Sequence, residues 1–259
     1  MGETVSLRKE QGIGIVTIDN PPLNVMNQQV TKELGEVFTD VESDKEIIAV
    51  ILTGAGQKAF MAGADIKEFP ESIGKQGMKE DVMKTHQMLN QIDFLPKPTI
   101  AVLNGLTFGG GCELALTCDI RIAESHAQIG LPEVKLGLFP GGGGTQRLPR
   151  LIGEAKAKEL MFTGEPVTAE EGVKLGLVNH VVPEGEGIKK ATEMASKIAG
   201  YSLESLSRIK EAVDRGVETG LYNGLEKEAE LFEEVFQTED IKEGVQAFIE
   251  KRKPVFEHR

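Results

Sequence analysis

The chain has 259 residues, enough for one large domain or one and a half small ones. Hydrophobic residues make up 40% of it and charged residues 27%, which fits an ordinary soluble protein with a substantial core. With 29 basic against 41 acidic residues the formal charge is −12; that argues against a general nucleic-acid binder, which needs a basic face, but leaves open an anionic small ligand held by a local pair of lysines.

Residues 5–9 and 13–19 alternate as a strand pair joined by a short turn containing Gly12. Pro21 and Pro22 end the second strand, since neither can donate to a ladder. Asn27 is a fair N-cap for a helix running to about Val41, with Val30, Leu34, Val37, Phe38 and Val41 on one face. The short apolar run 47–52 reads as a strand covered on both faces. Residues 66–92 are helical in places, broken by Pro70, Gly74 and Gly77, and rich in Lys and Glu; a mobile segment is expected there.

Residues 99–103 form the next buried strand. Gly109, Gly110 and Gly111 then open a helix carrying Glu113 through Cys118, and 120–123 returns as a strand. Short elements lead to Pro140 and the four glycines 141–144. Helices are expected over 146–152, 155–162 and 169–174, the last leading into a strand over 177–182. This alternation predicts an α/β core with largely parallel pairing. The clearest composition shift is Pro183-Glu184-Gly185-Glu186-Gly187, dividing a core (1–187) from a helical region (188–259). Four helices are expected after it, over about 188–199, 203–215, 222–236 and 240–251. The last two repeat apolar residues at helical spacing (Leu225, Ala229, Phe232, Phe236, then Ile241, Val245, Phe248, Ile249), so this tail must cover its own core or a neighbouring subunit.

Three glycines between a strand and a helix expose unpaired N–H groups where the helix dipole favours negative charge, although a tight turn alone would also use them. Glu113 follows in the first helical turn, between an apolar strand and Leu114-Ala115-Leu116; an enclosed acid there is a candidate general acid or base. Glu133 follows Pro132 in a short segment bounded by Gly130 and Gly137, where a solvated loop acid is the plain alternative. The turn Phe60-Met61-Ala62-Gly63-Ala64-Asp65 is poor in side chains and lets backbone approach a ligand, with Asp65 as a helix cap. Gly141–Gly144 with Thr145-Gln146-Arg147 lacks the lysine followed by Ser or Thr of a phosphate loop, and Gly12-Ile13-Gly14 lacks the third glycine of a dinucleotide fingerprint. His86, His126, His180 and His258 are scattered, so no metal is expected. Cys112 and Cys118 read as packing residues in a reducing compartment. Met1-Gly2-Glu3-Thr4 starts no signal peptide, no run spans a membrane, and a cytoplasmic protein is expected.

Taken in order, several of these segments resemble the crotonase (enoyl-CoA hydratase/isomerase) family: residues 60–67, Asn104-Gly105 with 109–113, Gly130-Leu131-Pro132-Glu133 through Gly144-Thr145-Gln146-Arg147, 160–164, and Lys242-Glu243-Gly244 through Lys251-Arg252-Lys253. The likeness covers nearly the whole chain. It implies an α/β crotonase spiral of ββα units with a helical C-terminal trimerisation region, the trimers often stacked as hexamers. The family's oxyanion-hole amides fall on Ala64 and Gly110, and its catalytic acids on Glu113 and Glu133, the latter holding the proton. Its CoA contacts fall on Lys58, Ala62, Ala64, Asp65, Ile66, Lys67 and Gly110, with Lys58 and Lys67 where CoA phosphates approach. Keeping both glutamates matches the hydratase branch. That implies reversible syn hydration of a trans-2-enoyl-CoA in fatty-acid β-oxidation, with enoyl-CoA isomerisation as the alternative. CoA arrives with the substrate, and no cofactor, metal, nucleic acid or membrane is implied. Met61 and Phe108 are bulkier than some relatives carry there and shape the pocket.

Overall fold

A computed structural model describes residues 2–259. Strand β1 (Val5–Glu10) pairs antiparallel with β2 (Ile13–Ile18) through Gln11 and Gly12, both at positive φ as so tight a hairpin demands. Helix α1 (Gln28–Ser43) starts at Asn27, whose side chain accepts the Val30 N–H at 2.8 Å. Its expected face, Val30 to Val41, is buried. Strand β3 (Ala49–Gly54) is buried throughout but starts two residues late, because Ile47 and Ile48 donate to the loop carbonyls of Asp44 and Gly12.

The chain continues through β4 (Ala59–Ala62), a 3₁₀ turn (Ile66–Glu71), α2 (Met78–Asp93), β5 (Thr99–Leu103), β6 (Leu106–Phe108) and α3 (Gly110–Ala115). Next come β7 (Ile120–Glu124), β8 (Gln128–Gly130), a 3₁₀ turn (Glu133–Leu136), α4 (Gly144–Ile152) and α5 (Glu154–Thr163). Strand β9 (Val167–Thr168), α6 (Ala169–Leu175), β10 (His180–Val182) and helices α7 (Gly187–Ile198), α8 (Leu203–Val217), α9 (Leu221–Val235) and α10 (Glu239–Glu250) complete it.

Two sheets result, one ordered β1-β2-β3-β5-β7-β10 and one ordered β4-β6-β8-β9. Three successive turns each place one strand in either sheet: β3 then β4, β5 then β6, β7 then β8, with all neighbours parallel. The chain then returns in the opposite order, through β9 and β10. This is the expected spiral. The second sheet was not read from the sequence as strands, because its members are two to four residues long and too short to show alternation.

The large sheet is covered on both faces. Leu34 and Phe38 of α1 join Val16, Ile18, Val50, Leu52, Ala101 and Leu103 on one side. Ala191 and Ala195 of α7 join Ile13, Ile15, Ile51, Ile100, Val102 and Ile122 on the other. Burial of a side chain such as Phe38 contributes about 1.5–3 kcal/mol, and this two-sided cover is why β3 reads as an unbroken apolar run. In α8 to α10, by contrast, Leu231 and Ala247 are buried while Leu225, Phe232, Phe236, Val245, Phe248 and Ile249 are exposed. The apolar stripe of the tail therefore does not cover this chain's own core.

Candidate active site

The turn after β4 is set by an isolated parallel bridge between Met26 and Ala64. Met26 N–H donates to Gly63 O and Asp65 N–H donates to Met26 O, both at 2.8 Å. These bonds fix the residues on either side of Ala64 and leave the Ala64 N–H outside the bridge. Gly63 makes the turn at a φ of 94°. Gly110 lies opposite as the first residue of α3, where an N–H precedes the helix's own ladder. The Ala64 nitrogen is 3.7 Å from where a β-carbon on Gly110 would sit, so the two amides border one small space.

Close approach explains the glycines flanking Gly110. A β-carbon on Gly111 would lie 2.0 Å from the Met61 carbonyl oxygen, so only glycine lets α3 press against β4. One on Gly109 would meet Glu133 Oε1 at 3.0 Å.

Glu113 is 4% exposed. Its Oε1 accepts from the Gly142 N–H at 2.7 Å and from the Gly144 N–H at 2.8 Å, while Oε2 accepts no hydrogen bond among the described residues. Burial pushes its pKa above the ordinary carboxylate value; the Gly144 and Gly142 N–H groups and the Arg147 charge pull the other way. The four-glycine turn rejected as a phosphate loop is thus a cradle for a carboxylate. A β-carbon at Gly142 would fall 2.5 Å from Glu113 Oε2.

Glu133 opens the 3₁₀ turn after β8. Oε1 lies beside Gly109, and Oε2 is buried with no hydrogen-bond partner among the described residues. Burial, with the Glu113 charge adding to it, raises this carboxyl to about 7. Of the two acids, Glu113 has the donors that favour its ionised form and Glu133 has the orphan oxygen that favours a proton.

The structure brings Glu113, Glu133, Gly110 and Ala64 together. Ala62, half-buried, ends β4, and Asp65 accepts the Lys67 N–H at 3.1 Å to cap the following turn. Ile66, Lys67 and Lys58 are exposed, Lys58 at the opposite end of β4 from Ala64. Gly142, Gly144 and Arg147 were not assigned a site role from sequence, although the glycine run was their visible signal.

Residues 8–259 match the enoyl-CoA hydratase/isomerase family. The chain belongs to that family. A short-chain-enoyl-CoA hydratase of Clostridium acetobutylicum is 46% identical, over 96% of this chain and 95% of that protein. A crotonyl-CoA hydratase of Syntrophomonas wolfei is 39% identical, over 98% of each. The solved enoyl-CoA hydratase of Bacillus anthracis superposes with a TM-score of 0.95 at 39% identity, covering 99% of this chain and all of that one. Agreement that close over the full length makes the two-sheet spiral the crotonase fold.

Proposed function

We propose that the chain is an enoyl-CoA hydratase, adding water reversibly and syn across the 2,3 double bond of a trans-2-enoyl-CoA to give a 3-hydroxyacyl-CoA. One observation carries the reading: two carboxylates with opposite hydrogen-bond provision, Glu113 held by the Gly142 and Gly144 N–H groups and Glu133 against Gly109, lie close enough for their charges to act on one another, with the Ala64 amide bordering Gly110.

The thioester oxygen sits between the Ala64 and Gly110 N–H groups, which stabilise the enolate-like charge; one such donor is worth about 3–4 kcal/mol. Glu113, ionised, accepts a hydrogen bond from water through Oε2 and aims the water oxygen at C3. Glu133 gives its proton to C2. The proton that water releases passes to the carboxylate pair, which ends the cycle with the one proton it began with. Two acids around one water do not both ionise comfortably, and the raised Glu133 value fits that.

Lys58 and Lys67 approach the CoA phosphates, and the backbone from Ala62 to Lys67 lies along the CoA; no cofactor enters the reaction. No helix among the described residues is long and apolar enough to cross a membrane. A cytoplasmic role in β-oxidation suits this reading. The exposed apolar residues of α8 to α10, Phe248 at 85% among them, support assembly as a trimer or stacked hexamer, with light scattering as the check.

The test follows loss of the conjugated enoyl-thioester absorbance of crotonoyl-CoA. Rapid loss that Glu113→Gln and Glu133→Gln each abolish, with 3-hydroxybutanoyl-CoA as product, supports the assignment. A folded protein inactive on crotonoyl-CoA and longer 2-enoyl-CoAs, yet moving the double bond of a 3-enoyl-CoA, establishes the isomerase instead.

A further inference from the structure

Arg147 lies in the first turns of α4, immediately after the glycine cradle, and its side chain is only 17% exposed. Nε donates to Asp93 Oδ2 at 2.7 Å and Nη2 to Asn90 Oδ1 at 2.7 Å, both on α2. Nη1 donates to the Gly142 carbonyl at 3.4 Å. His86, one turn earlier on α2, comes within 3.9 Å of where a β-carbon on Gly143 would be. One face of α2 therefore presents His86, Asn90 and Asp93 to the glycine turn, and Arg147 ties the two together.

The same turn supplies both N–H groups that Glu113 Oε1 accepts. Gly143 runs at a φ of 103°, and a β-carbon there would strike Arg147 Nη1 at 2.3 Å, so the guanidinium packs directly on the turn. A planar fork satisfied on two edges holds a backbone loop far more rigidly than an ammonium does.

We propose that Arg147 is a positioning residue of the hydratase: clamped to Asn90 and Asp93, it fixes the Gly142–Gly144 turn so that both N–H groups stay aimed at Glu113. The inference rests on the hydratase reading for its kinetic consequences, but the clamp itself can be tested without catalysis. Charged or titratable groups around Glu113 are Arg147 from α4, Glu133 from the 3₁₀ turn and Cys112 beside it on α3, with Asp93 and His86 behind the turn on α2. The Arg147 charge opposes the effect of burial on Glu113. Among the described residues, the hydrogen bonds that link α2 to the turn all run through Arg147.

Two readouts decide it, with Arg147→Gln, Arg147→Lys and Asp93→Asn compared to the parent protein. Carbon-13 NMR titration of the Glu113 carboxyl needs no turnover. Kinetics on crotonoyl-CoA across pH 5–9 separates kcat from KM. Arg147→Gln should raise the Glu113 titration point and lower kcat about tenfold or more with KM within about twofold. Arg147→Lys should restore the titration point and only part of kcat, and Asp93→Asn should lower kcat while the charge beside Glu113 remains. A Glu113 titration point and pH profile unmoved in folded Arg147→Gln overturn the proposal, as does full rescue of kcat by lysine. Should the glutamine variant not fold, an Asp93→Asn protein with parental kcat overturns the clamp by itself. A parent protein inactive on every 2-enoyl-CoA, whose Glu113 still shifts in Arg147→Gln, sinks the hydratase reading and leaves the clamp standing.

Discussion

Glu33 is buried and Glu133 half-buried, and the protein treats the two carboxyls in opposite ways. Glu33, on α1 and 3% exposed, accepts from the N–H groups of Glu3 at 2.9 Å and of Thr4 and Val5 at 2.8 Å. The Thr4 hydroxyl and the Gln29 side chain donate to it as well. Burial alone would raise its pKa, but these donors overcome that and hold the carboxyl at about 2. Glu133 has an orphan buried oxygen and stands at about 7. The same side chain thus spans about five pH units, and donor count decides the outcome where burial does not. A saturated acid ties the N-terminal strand to a helix, whereas an acid left short of donors stays ready to hand over a proton. Glu113 lies between them, one oxygen held by two N–H groups and the other unbonded.

Substitutions to glutamine should divide along that line. The largest effect is expected at the site: Glu113→Gln and Glu133→Gln should each lower kcat on crotonoyl-CoA by about 10²–10⁴, the usual weight of a positioned acid or base. If Glu133 carries the proton as proposed, kcat/KM of the parent protein for hydration should fall as pH rises through about 7, and that limb should vanish in Glu133→Gln. Glu33→Gln should do the reverse, leaving kcat of the folded protein unchanged while costing about 2–3 kcal/mol of stability in urea unfolding at pH 7. Since the folded pKa of Glu33 lies below its unfolded value of 4.5, its contribution is complete above pH 4.5 and lost as pH falls toward about 2. The gap between parent and Glu33→Gln should therefore close in acid. An activity loss in Glu33→Gln without a stability loss would break the comparison.

Somewhat smaller should be Gly111→Ala, whose β-carbon must push Met61 O and β4 away from α3. About 1–3 kcal/mol of stability should go, with kcat falling further than the folded fraction, because Gly110 and Glu113 move with the helix.

How far the site could be read from sequence follows from the same physics. Gly109–Gly111 and the 60–65 turn are local devices: a helix start after glycines exposes N–H groups wherever it occurs, so Gly110 and Glu113 were visible at once. Strands of the large sheet were visible because both faces are covered, and α1 because Asn27 and its apolar face agree. Strands β4, β6, β8 and β9 were too short to leave a period. Residues 141–144 were seen, but their partner lies 29 residues earlier for Gly142, and no spacing rule links a glycine turn to a glutamate on another helix. Arg147 closes the glycine-turn motif in sequence, but its contacts to Asn90 and Asp93, more than 50 positions away, leave no local signal for the same reason. Ordinary local chemistry is legible in a sequence; what one element supplies to another across the fold is not.

The last prediction concerns the sign of stability at the site itself. Glu133 binds its proton more tightly folded than unfolded, so the folded state gains at low pH and loses that advantage as pH rises from 4.5 through about 7. Above that range the native protein must hold a carboxylate with a buried oxygen that nothing bonds. Glutamine has nearly the same shape and no charge, so Glu133→Gln should be more stable than the parent at pH 8. A gain of about 1–2 kcal/mol is expected, because partial exposure screens some of the penalty. At pH 4, where the parent acid is protonated in both states, the two proteins should unfold together. Thermal melts at both pH values decide it. A variant that loses activity and also loses stability at pH 8 would mean that Glu133 is satisfied in the native protein after all, and its contrast with Glu33 would be void.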